Sequence, residues 1–97
     1  MGLSPEAEQF RMAVSTMAET PGAIQQRINR AYLSFLSHVS VDAVTADLRP
    51  RVAALVTRLG ATPVTRTMLT DDEGAAVAKE IVALAFDLCQ HDWTSGG

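Results

Sequence analysis

The stretch Thr70–His91, TDDEGAAVAKEIVALAFDLCQH, decides the fold class of this chain. It opens with a helix-start signal: Thr70 is a capping residue, Asp71 and Asp72 fill the first turn, and Glu73 lies three positions on, completing a T-x-x-E capping box. Placed at about 100° per residue, Val77, Ile81, Leu84, Ala85 and Leu88 make one stripe, and Val82, Phe86 and Cys89 widen it on one side. Lys79, Glu80, Ala83, Asp87 and Gln90 remain for water. An apolar arc of about 200° needs partners on two sides, so this helix is either the centre of a bundle or half of an interface between chains.

Upstream of it the same signals recur. Ser4-Pro5-Glu6 is a capping residue, a proline at the first helical position and an acidic first turn; Leu3, Phe10, Val14 and Met17 then share one face of a helix over 5–18. Thr20-Pro21 repeats the start, and Ile24, Ile28, Ala31, Tyr32, Phe35, Leu36 and Val39 oppose Gln26, Arg27, Arg30, Ser34 and Ser37, which predicts a helix over 21–39. A third helix is expected over 48–59, capped by Asp47, burying Leu48, Val52, Leu55, Val56 and Leu59 and ending at Gly60. With the fourth over 71–91, the expected fold is an all-α bundle of four main helices. It has no sheet, and short extra turns are expected near Val41–Ala46 or Pro63–Leu69. Residues 1–93 are expected to form a single helical domain, and 94–97 a disordered tail.

Composition narrows the functional classes. The chain has 97 residues, 47% of them hydrophobic and 20% charged, which marks one globular domain. With three Phe, one Tyr and one Trp, the core is built mostly from small aliphatic side chains, and association between copies would add buried area. A single cysteine excludes an intramolecular disulfide and fits a reducing compartment. No apolar run is long enough to cross a membrane, and Glu6 and Glu8 stand where a secretory signal carries positive charge, so a cytoplasmic location without membrane attachment is expected. Arginine in place of lysine, with abundant Ala, Val and Thr, matches the bias of GC-rich bacterial and phage genomes.

Net charge is −3, yet the middle of the chain is basic and the ends acidic. Arg51 and Arg58 lie seven apart on the third helix, and Arg27 and Arg30 on the outer face of the second. Antiparallel packing of those helices would join all four into one positive face for a partner bearing carboxylates or phosphates.

Reactive chemistry finds little support. Asp87 and His91 are four apart beside Glu80, a spacing that could hold a metal, but the Glu-x-x-His pattern of di-metal bundles is absent, and no metal or cofactor is expected. Cys89 falls on the apolar side with acidic neighbours, the place of a small buried hydrophobe rather than a nucleophile. No serine-hydrolase elbow or phosphate-cradling glycine loop occurs.

Arg51–Leu69 loosely resembles a helix-turn-helix. It has a helix, a glycine at position 60, a Thr62-Pro63 start and Arg66 on a threonine-rich second segment. That segment is short and the chain acidic, both unfavourable for DNA reading. Met12, Met17 and Met68 suggest a third class, a helical pocket for a small apolar ligand.

The leading expectation is a non-enzymatic interaction protein, a small regulator, inhibitor or accessory subunit acting as a homodimer. Val82, Phe86 and Cys89 would lie in the dimer contact, and Arg27, Arg30, Arg51 and Arg58 would face a protein partner. The alternatives are a DNA-binding regulator using residues 51–69, with Arg66 at the DNA, and a ligand-binding bundle.

Overall fold

A computed structural model describes residues 4–60 and 68–96, with side chains to residue 90. Four α-helices make up the described chain: α1 (Pro5–Glu19), α2 (Ile24–Ser34), α3 (Arg49–Gly60) and α4 (Asp71–Gly96). No strand occurs among the described residues, and the class is all-α, as expected. At 1.5 Å per residue the 26 residues of α4 span about 39 Å. That equals the 40 Å long axis of the molecule. Each of the other three helices contacts this one.

α1 begins as its sequence predicts. Ser4 is extended, its Oγ accepts from the Ala7 N–H at 3.2 Å, and Pro5 opens the helix. Its buried apolar face is Ala7, Phe10, Ala13 and Met17, while Val14, expected on that face, is only half-buried and lies on the flank. Position 13 supplies the inward contact because an alanine lets α1 approach its neighbours closely.

α2 is shorter than the 21–39 expected from its stripe. Gly22 takes φ +113°, a left-handed conformation open to glycine, so the chain turns between Pro21 and the helix, which starts after Ala23. At the other end the Ser37 hydroxyl donates to the Leu33 carbonyl at 3.2 Å, the acceptor a continuing helix would offer to the Ser37 N–H. The chain tightens there into a 3₁₀ turn at Leu36–His38, which still buries Leu36 and delivers Val39 to the core.

A second 3₁₀ turn at Val41–Ala43 is the extra turn expected near 41–46. The Arg49 guanidinium ties this connector to α3, donating to the Val44 carbonyl at 2.9 Å and the Asp42 carbonyl at 3.3 Å. α3 buries Val52, Leu55 and Leu59 and ends on Gly60. A Cβ at Gly60 would lie 2.6 Å from the Tyr32 hydroxyl, so the tyrosine would have to shift to admit a side chain there. The expected turn at Pro63–Leu69 falls largely outside the described residues.

α4 starts with the capping box: the Thr70 N–H donates to Glu73 Oε1 at 2.9 Å and the Glu73 N–H to Thr70 Oγ1 at 3.1 Å. Gln25 of α2 clamps this start, its Nε2 donating to the Leu69 carbonyl and to Asp71 Oδ1 at 2.8 and 2.9 Å. Gly74 sits where α2 crosses α4, and a Cβ there would meet Ile24 Cγ2 at 2.8 Å. The helix continues past the expected residue 91 to Gly96. The expectation of a disordered tail at 94–97 concerns residues whose side chains lie outside the description. α1, α2 and α4 pack pairwise into a three-helix core, and α3 lies against α4 and the two 3₁₀ turns.

Candidate functional site

α4 contacts all three other helices, which accounts for Val77, Ile81, Leu84, Ala85 and Leu88 being buried. Its second row is not covered. Phe86 is 66% exposed and Val82 48% exposed. With three packed neighbours already taken up, no element of the described fold remains to cover these side chains. Together with half-buried Cys89 they border a shallow groove between α4 and α1, completed by Val14, Ala85 and Arg11. The three residues expected at an interface are therefore brought together on one surface.

The groove is apolar at its floor and charged only on its α1 rim. There Arg11 pairs with Glu8 one turn earlier, and the guanidinium's hydrogen bond holds the Glu8 carboxyl below its usual range. Cys89 Sγ lies 4.0 Å from the Ala7 carbonyl as a weak donor, so the thiol is half-buried where full burial was expected. Sequence periodicity missed Arg11 and assigned Val14 to the buried face of α1 rather than to this groove. The available signal was the i, i+3 spacing of Arg11 and Val14, which puts both on one side of α1.

The four arginines lie in two settings, Arg51 and Arg58 against α4 and Arg27 and Arg30 on α2. Arg51 Nε donates to Glu80 Oε1 at 3.1 Å and its Nη1 to Asp87 Oδ2 at 2.8 Å, bridging two turns of α4. Arg58 Nη2 stands 3.8 Å from Glu73 Oε2. Both thus face carboxylates of their own chain across a narrow α3–α4 groove floored by Ala54, Leu55, Ala76 and Val77. Arg27 Nε donates to the Gly22 carbonyl at 3.1 Å, and Arg30 lines an open polar cleft with Thr16, Glu19, Gln26 and Asn29. The antiparallel α2–α3 pair that would unite them is not a main contact of the fold, because α2 packs on α1 and α4.

Arg51 also bears on the metal candidate. Its guanidinium stands between Glu80 and Asp87, where a cation would sit, and the side chain of His91 lies outside the description. Among the described residues no group of three metal-ligating side chains is found. Arg66 lies outside the described residues. Of the three methionines, Met17 is in the core whereas Met12 and Met68 are exposed, so they do not share a cavity. No helix among the described residues is long and apolar enough to cross a membrane.

Compared with family models, curated proteins and solved structures, the chain has no match.

Proposed function

We propose that this chain is a non-enzymatic helical interaction module that acts as a homodimer and works by occupying a surface of a protein partner, as a small regulator, inhibitor or accessory subunit does. One observation carries the reading: Phe86 and Val82 stand exposed beside an apolar groove on a helix whose main apolar stripe is already packed. Phenylalanine in water forfeits burial worth roughly 1.5–3 kcal/mol, and a cluster of exposed apolar side chains is the usual mark of a contact surface. A two-fold contact between copies is the commonest closed solution.

Light scattering coupled to size exclusion tests this. The expected result is a mass twice the 10.4 kDa of the chain, falling to one chain in Phe86→Glu with helical content retained. A wild-type mass of one chain at about 100 µM, where even weak specific dimers form, would overturn it. A duplex DNA titration at low salt should show no binding. Salt-sensitive affinity reduced by Arg66→Ala would favour the DNA reading instead.

A further inference from the structure

The helices share the core unequally. α1, α2 and α4 each pack on the other two, whereas α3 rests on α4 and on the two 3₁₀ turns, meeting Tyr32 of α2 at its Gly60 end. The turn at Val41–Ala43 has α3 as its main neighbour, and the Arg49 guanidinium binds the two together through the Val44 and Asp42 carbonyls. Residues 41–60 thus make one unit laid against a three-helix core. The unit buries Val44, Val52, Leu55 and Leu59, and beside Leu55 the groove toward Ala76 and Val77 of α4 stays open. Charge holds the edge of this unit. Glu73, Glu80 and Asp87 stand at seven-residue steps along α4 and each faces an arginine of α3: Arg51 takes Glu80 and Asp87 at 3.1 and 2.8 Å, and Arg58 stands 3.8 Å from Glu73. Arg51 and Arg58 are themselves seven apart, so bases and acids alternate along an antiparallel pair of helices. All five side chains are 37–51% exposed, and salt reaches every pair.

We propose that residues 41–60 are a latch that opens as a unit while α1, α2 and α4 stay packed, and that the arginine–carboxylate ladder sets how often it opens. Opening unburies four aliphatic side chains, parts Gly60 from Tyr32 and breaks three exposed ion pairs. Opening α1, α2 or α4 instead breaks the packing of two other helices at once, around Phe10, Ile28, Ile81 and Leu84, all fully buried. Local openings are drawn from the element with the fewest buried contacts. Once open, the latch frees Arg51 and Arg58 on one side and Glu73, Glu80 and Asp87 on the other. Ionic strength therefore shifts its position. Val82 and Phe86 lie on another flank of α4, so the latch does not depend on the homodimer reading.

Native-state hydrogen exchange read by mass spectrometry tests the latch. Relative to their unfolded rates, peptides from residues 41–60 should exchange at least about tenfold faster than peptides from α1 and from residues 77–88 of α4. Arg51→Gln and Arg58→Gln should each speed exchange of residues 41–60 about two- to fivefold, the range of an exposed ion pair, and leave α1 and α2 unchanged. About 1 M salt should do the same to the wild-type chain and little to the double variant. Equal protection of all four helices, or arginine variants that speed all of them alike, would mean that α3 opens only with the whole fold, and overturns the proposal. Salt that speeds the double variant as much as the wild type overturns the role of the ladder.

Discussion

Gly74→Ala opposes two effects whose magnitudes can be compared. Inside a helix, alanine is favoured over glycine by about 0.8–1.0 kcal/mol, so on propensity alone the substitution stabilises. The new Cβ, however, would lie 2.8 Å from Ile24 Cγ2, closer than carbon atoms pack. Ile24 is β-branched and sits at the first position of α2, so it has little rotameric freedom to move aside. Overpacking of this kind costs roughly 1–3 kcal/mol. The steric term wins, and Gly74→Ala should destabilise by about 1 kcal/mol, a fall in melting temperature of roughly 4–8 °C for a domain of this size. Removing the obstruction reverses the sign: in an Ile24→Ala background, Gly74→Ala should stabilise by about 0.5–1 kcal/mol. The coupling between the sites is then about 2 kcal/mol, within the range for residues in contact. Urea unfolding of the four chains measures it, best in a Phe86→Glu background, because dimer stability depends on concentration. A Gly74→Ala chain stabilised by the full propensity gain with Ile24 in place would refute the close crossing of α2 and α4.

Ile81→Ala, fully buried, should cost about 2–5 kcal/mol, whereas Phe86→Ala should leave the monomer within about 0.5 kcal/mol of wild type in the same urea titration. Arg51→Ala removes both bonds to α4 and should lower stability by about 0.2–1 kcal/mol at low salt. That difference should shrink in about 1 M salt. Arg27→Glu with Arg30→Glu should melt close to wild type, while Arg51→Glu with Arg58→Glu places new carboxylates beside Glu73, Glu80 and Asp87 and should melt clearly lower. The Thr70 backbone N–H, then the Thr70 hydroxyl, with Arg58 nearby, hold the Glu73 carboxyl below its ordinary 4.5. Its contribution is therefore present above pH 4.5 and lost as pH falls through the lowered value, a loss that Glu73→Gln should remove from the pH dependence of unfolding.

The amino-acid sequence by itself determined the features whose physics is local. Ser4 and Thr70 start helices because their oxygens meet backbone N–H groups three residues away, and the broad apolar arc of α4 is a property of one helix. The exposed row of Val82 and Phe86 was legible for the same reason: the arc exceeded what three narrow stripes could cover. Tertiary structure decided what depends on distant partners. Arg51 was readable as a surface charge, but its partners Glu80 and Asp87 lie 29 and 36 residues away and emerge only when α3 docks on α4. Gly74 costs helix propensity, and the neighbour that requires it, Ile24 of α2, is identified only by the tertiary structure. α2 stops short of the end of its stripe where the chain tightens into the 3₁₀ turn at Leu36–His38, a change of backbone hydrogen bonding that apolar periodicity, which reports burial, does not register.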